Sequence, residues 1–127
     1  MRALLDTHIF ITLSRHGTDG LSSRIRKLVE DEDTDLLLSA VSISEIAVKV
    51  SINKLEMRAP HTLKAVEDLR LTLIAFESRH AMRMFDLPLH HRDPFDRMLI
   101  ATALCEGVPI ISEDGQFKSY RGLKMIS

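Results

Sequence analysis

The sequence predicts an α/β fold, with a mostly parallel central sheet of about five strands flanked by helices on both faces. Two observations carry that prediction. Short apolar runs alternate with longer amphipathic stretches along the whole chain, and the runs, at three to five residues, are too short for ordinary helices. A strand, a helix and another strand in succession imply a crossover connection, which makes neighbouring strands parallel.

The first expected strand is residues 3–5, Ala3-Leu4-Leu5, followed at once by Asp6. Helical patterns occupy residues 7–14 and 21–30, and Leu36-Leu37-Leu38 supplies the second buried strand. A helix over 42–54 sets Ile43, Ile46, Ala47, Val50 and Leu55 near the spacing of one apolar face. Residues 62–69, preceded by Pro60, form a further helix, and residues 71–75 a third strand that is also expected to be buried. A helix over 78–85 follows. The clearest element is the helix over 93–106, where Asp93 suits the N-cap, Pro94 the first helical position, and Gly107 with Pro109 the stop. Strands at 109–111 and 123–126 complete the set.

Bulk composition narrows the class. At 127 residues and 45% hydrophobic content the chain matches one domain, residues 1–127, around one ordinary core. Glycines and prolines are scattered as turn punctuation, so no linker or repeat divides it. The net charge of -1 excludes a polycation that coats nucleic acid, but not an enzyme whose acidic ligands offset basic residues elsewhere. A lone Cys105 cannot close an intrachain disulfide and reads as a small buried residue on a helix. No apolar run approaches the roughly 20 residues that cross a bilayer. The N-terminus lacks a long secretory apolar region, so the expected location is cytoplasmic.

The placement of certain acids is more informative. Asp6 directly follows the first strand, Glu45 falls in the first turn of the expected third helix, Asp96 in that of the best-capped helix, and Asp114 just after Ile110-Ile111. In an open parallel sheet, strand C-termini and the following helix N-termini share one edge, where ligands bind. Each acid alone has a local explanation. Asp6 can cap a helix, Ser42-Ile43-Ser44-Glu45 matches a capping box, Asp96 complements a helix dipole, and Asp114-Gly115 is a common turn. Together, on one rim, carboxylates stay ionised only with positive charge between them. An all-oxygen set favours Mg²⁺ or Mn²⁺, ions that keep open positions for a phosphate ester and a water.

Four segments then carry a resemblance. Leu5-Asp6-Thr7-His8, Ser42-Ile43-Ser44-Glu45-Ile46-Ala47-Val48-Lys49, the run from Leu87-Pro88-Leu89-His90-His91-Arg92 through Asp93-Pro94-Phe95-Asp96-Arg97-Met98-Leu99-Ile100-Ala101, and Ile111-Ser112-Glu113-Asp114-Gly115-Gln116-Phe117 together resemble a PIN domain of the VapC toxin type. They extend from Leu5 to Phe117 in the family's order, and the run through Asp96 is the most specific. The resemblance implies a PIN-like fold and a ribonuclease dependent on Mg²⁺ or Mn²⁺. Asp6, Glu45, Asp96 and Asp114 would be its catalytic and metal-binding acids. It also implies 5′-phosphate and 3′-hydroxyl products, a homodimer, and a separately encoded antitoxin protein. Two departures stand out. Ser112 occupies the position common for a threonine or serine before the fourth acid, but Glu113 adds a neighbouring carboxylate, and Ser44 stands where similar toxins often carry an aromatic residue.

Lys49, one turn after Glu45, and Arg92 and Arg97, flanking Asp96, are candidates for RNA phosphate contacts, with Ser112 beside them in the substrate-binding set. An ion pair with Glu45 is the competing role for Lys49. Adjacent His90 and His91 point apart on most backbones, which disfavours a zinc cluster, and Asp93 is accounted for as a cap. Glu30-Asp31-Glu32-Asp33 reads as a solvated helix end, and the Met-rich residues 81–87 as core. The functional alternative is a catalytically idle PIN-like module that binds RNA or a protein partner.

Overall fold

A computed structural model describes residues 1–127. Its elements are β1 (Arg2–Leu5), α1 (Thr7–His16), α2 (Ser23–Glu30), β2 (Asp35–Ser39), α3 (Ala40–Ser51), α4 (Ala59–Asp68), β3 (Thr72–Ile74), α5 (Ser78–Arg83), α6 (Pro94–Glu106), β4 (Ile110–Ile111) and β5 (Met125–Ile126). Short 3₁₀ turns, Met84–Asp86 and Gly115–Ser119, follow α5 and β4. The five strands lie in the order β3-β2-β1-β4-β5, and every pairing is parallel.

The two-residue period of the strands divides the interior into two layers. Ala3, Leu5, Leu36, Leu38, Ile111 and Ile126 face one side and pack with Ile9 and Phe10 of α1, Ile25 of α2 and Val66 of α4. Leu4, Leu37 and Ile110 face the other and pack with Leu99, Ile100 and Ala103 of α6. The chain winds outward from β1 to β3, then returns to the far side of β1 with β4. Connections on either side of the β1–β4 pair therefore diverge, opening a crevice at the strand C-termini.

Several boundaries differ from the sequence expectations. Helix α3 begins at Ala40, because the Ser39 hydroxyl accepts a hydrogen bond from the Val41 amide at 3.0 Å and caps it there. Ser42 is thus inside the helix rather than the head of a capping box, and Glu45 lies in its second turn. Helix α4 starts at Ala59, ahead of Pro60, which takes its place in the first turn. Strand β3 is an edge strand with exposed Thr72 and Leu73, not a buried one, because β2 covers it on one side only. The Met-rich stretch is split: Leu87 is buried, whereas Met82 and Phe85 are 63% and 83% exposed. Cys105 is partly exposed on α6, with Sγ donating to the Arg79 carbonyl at 3.6 Å. The caps of α6 match expectation: Asp93 Oδ1 accepts from the Phe95 amide at 2.9 Å, and Gly107 ends the helix in the left-handed region at φ 65°. No helix is long and apolar enough to cross a membrane.

Candidate active site

Asp6 is placed by the junction of β1 and α1. Its amide donates to the Ile111 carbonyl at 3.0 Å, fixing it against β4, and its Oδ1 accepts from the Ile9 amide at 2.7 Å as the α1 cap. Glu45 comes from the adjoining α3, whose N-terminal part is tied to α1 by a buried hydrogen bond of 2.9 Å from Thr7 Oγ1 to Ser42 Oγ. Asp96 enters from the first turn of α6. Asp114 follows β4; its amide donates to buried Ser112 Oγ at 3.0 Å, and its Oδ1 accepts from the Gln116 amide at 2.9 Å. All four acids line one open cavity of about 390 Å³, together with Thr7, His8, Lys49, Asp93 and Glu113.

The electrostatics of this cavity are strained. Burial raises the Asp6 carboxyl above its ordinary value, against opposing hydrogen bonds from Ser112 and the Ile9 amide. Asp96 is pushed up to about 7, first by loss of water and then by the charges of Asp93, Glu45, Asp6 and Asp114. Glu45 is buried; its Oε2 accepts from Lys49 Nζ at 2.8 Å, but its Oε1 has no partner. Lys49 is correspondingly held above the usual lysine value, chiefly by that hydrogen bond. An orphaned carboxylate oxygen and a neighbour with a raised pKa are what an acidic cluster shows when one lysine must balance several acids. The donor set is dominated by oxygen and open to solvent on one side, which fits a hard divalent cation.

Of the candidate substrate contacts, Lys49 faces the cavity but is paired with Glu45, and Ser112 is fully buried beneath it. Arg97 donates to the Pro88 and Leu87 carbonyls at 2.9 and 3.4 Å, pinning the loop before α6, and neither Arg97 nor exposed Arg92 lines the cavity. Asp93 and Glu113 join the lining, although the sequence marked Asp93 only as a cap. His91, set aside with His90 in the sequence, is buried with Nε2 3.7 Å from Asp114 Oδ2. No local pattern marks it, because its burial depends on Phe117 and Tyr120, more than twenty residues away. A larger hollow of about 530 Å³, lined by Glu30, Asp31, Glu32, Asp33 and Asp35, lies at the opposite end of β2. There the Asp31 oxygens accept from the Asp33 amide and the Thr34 hydroxyl, each at 2.9 Å, so the acidic run makes an ordinary turn.

The family model described as PIN domain matches residues 3–123. The chain belongs to the PIN-domain family. Its five-stranded parallel sheet is thus that of a PIN domain. Among solved structures, this PIN domain is similar to VapBC2 from Rickettsia felis bound to a promoter DNA fragment, with a TM-score of 0.76, 16% identity, and coverage of 99% of this chain and 98% of that one. It is also similar to DNA-bound VapBC from Salmonella typhimurium (TM-score 0.72, 15% identity, 99% and 97% covered). VapBC-1 from nontypeable Haemophilus influenzae gives a TM-score of 0.68 at 16% identity, over 100% and 98% of the two chains. No curated protein matches the sequence.

Proposed function

We propose that this PIN domain is a divalent-cation-dependent endoribonuclease and the toxin of a toxin-antitoxin pair. One observation carries the nuclease reading: Asp6, Glu45, Asp96 and Asp114, from four separated segments, line one cavity where Glu45 Oε1 is unpartnered and Asp96 is raised to about 7. Such crowding is costly for folding and is relieved by a cation, so the arrangement makes sense as a binding site.

Asp6 and Asp96 are the residues that would hold Mg²⁺ or Mn²⁺, with Glu45 and Asp114 completing the set. When bound, that ion supplies acidification of water and neutralisation of charge on phosphate oxygens. The chain's own groups do the rest. One carboxylate, of Glu45 or Asp114, holds the attacking water in line and takes its proton instead of binding the ion; an oxygen–phosphorus bond forms as the bond to O3′ breaks and O3′ takes a proton from solvent, leaving 5′-phosphate and 3′-hydroxyl ends. Lys49 provides positive charge beside the phosphate.

Two apolar surfaces support the assembly reading. A groove between α3 and α4, lined by Ile43, Ile46, Val50, Met57 and Leu63, offers apolar pockets to an antitoxin segment. Met82, Phe85 and Leu89 are exposed close together in sequence, as in a surface that a second copy covers in a homodimer. A solved structure of the same fold, VapBC-5 from Mycobacterium tuberculosis, is described as a member of the VapBC family of toxin-antitoxin systems, which supports the toxin reading.

The test is cleavage of structured and single-stranded RNAs by purified protein in Mg²⁺ or Mn²⁺ against EDTA, with Asp6→Asn and Asp96→Asn purified identically. Cation-dependent cutting lost in both variants is the expected result. Intact RNA binding by folded wild-type protein without cutting would instead favour the idle binding module.

A further inference from the structure

His91 has no part in the four-acid reading. It lies in the loop before α6, only 4% exposed, with its ring stacked on Tyr120 at a 5.4 Å centroid distance and 19° tilt and packed against Phe117 at 5.0 Å. Its amide donates to Tyr120 Oη at 3.0 Å, and Nδ1 is 3.1 Å from the same oxygen. A phenolic oxygen has two lone pairs, so with hydrogen on Nδ1 it accepts from both the amide and Nδ1–H. In that tautomer Nε2 presents its lone pair outward, and Nε2 is shielded from solvent without any hydrogen-bond partner.

The direction it faces is specific. Nε2 stands 3.7 Å from Asp114 Oδ2, and one donor atom each of His91, Asp96 and Asp114 falls within 4.8 Å of the others. The 3.7 Å separation is too long for a hydrogen bond. It suits two donors on one ion, since ligands about 2.1 Å from a cation stand about 3–4 Å apart. His90, by contrast, is exposed and meets Tyr120 edge-on, so it does not share the site.

We propose that His91 Nε2, Asp96 and Asp114 form a mixed nitrogen–oxygen cation position on the α6 side of the acidic cavity, selective for Mn²⁺ over Mg²⁺. The proposal rests on the reading that the cavity binds a divalent cation. Mg²⁺ takes oxygen donors and surrenders water reluctantly, whereas imidazole is an ordinary ligand for first-row transition ions. Tyr120 holds the orientation of the ring from behind, as the outer partners of metal-ligating histidines do.

The experiment is electron spin-echo envelope modulation on Mn²⁺-loaded full-length protein, with Mn²⁺ and Mg²⁺ affinities measured by calorimetry. The expected wild-type spectrum shows ¹⁴N coupling from a coordinated imidazole; the coupling persists in His8→Gln and His90→Gln and vanishes in His91→Gln. Tyr120→Phe, which keeps the stacked ring, is expected to weaken Mn²⁺ binding about tenfold with a smaller effect on Mg²⁺. Bound Mn²⁺ without ¹⁴N coupling in the wild type overturns the proposal and leaves cation binding by the carboxylates intact. Coupling that disappears in His8→Gln instead also overturns it. Wild-type protein that binds neither ion removes this site and the cation-dependent reading together.

Discussion

Lys49 Nζ donates to Glu45 Oε2 at 2.8 Å across one turn of α3, while Glu45 Oε1 is left without a partner. The pair is half-screened, because the lysine side chain is 43% exposed and the glutamate only 6%. Lys49→Met is therefore expected to destabilise the protein in EDTA by roughly 1–2 kcal/mol, between the values for exposed and buried pairs. Adding Glu45→Gln should recover most of that loss. Urea denaturation measures both, and Mn²⁺ should narrow the gap between Lys49→Met and wild type by replacing the missing charge.

The raised Asp96 carboxyl predicts an unusual pH dependence. Its folded value of about 7 lies above the ordinary 3.8, so between these values the folded state keeps a proton that the unfolded state has lost. Stability from this group is therefore greatest below pH 4 and declines as pH rises to 7. Because Asp96 is only partly buried, solvent limits the effect to on the order of 1 kcal/mol, or about 3–5 °C in Tm. In EDTA, Tm measured from pH 5 to 8 should fall more in wild type than in Asp96→Asn. Equal slopes would show that the site imposes no such cost. Mn²⁺ at pH 8 should raise the wild-type Tm more than that of the variant.

Thr7 and Ser42 couple the two helices that carry Asp6 and Glu45. Both hydroxyls are buried and bonded at 2.9 Å, so Ser42→Ala strands the Thr7 hydroxyl. The expected cost is about 1–3 kcal/mol, and Thr7→Val combined with Ser42→Ala should cost less than the sum of the single changes. Additive losses in chemical denaturation would mean that the bond contributes nothing of its own.

Gly107 closes α6 at φ 65°, with open space where a Cβ would stand. Gly107→Ala should cost about 1 kcal/mol through backbone strain alone. Gly107→Asn should cost clearly less, because asparagine tolerates the left-handed region. Equal thermal losses in both variants would point to a packing cause instead.

The sequence carried most of the local order. Asp93-Pro94 and Gly107 announced both ends of α6, since caps act through adjacent backbone groups. Alternating strands and helices likewise announced the parallel sheet. The expected start of α3 at Ser42 was too late, because Ser39, the last residue of β2, caps the helix instead. Phe85 looked like core by composition, yet the strands and α6 leave it outside. Burial depends on neighbours distant in sequence, which hydrophobic character alone does not specify.

By itself the sequence determined the element order, the fold class and the segments that bear the acids, because periodicity, capping and turn chemistry act over a few residues. Only the tertiary structure decided which side chains share the cavity, that Arg97 holds a loop instead of facing it, and that Glu45 Oε1 and His91 Nε2 are left without partners. Those outcomes follow from the strand order, which sets β4 beside β1 and brings Asp114 near Asp6, 108 residues earlier, and Asp96, 18 residues earlier. A short-range pattern carries no record of such distances; close packing across the sheet creates them.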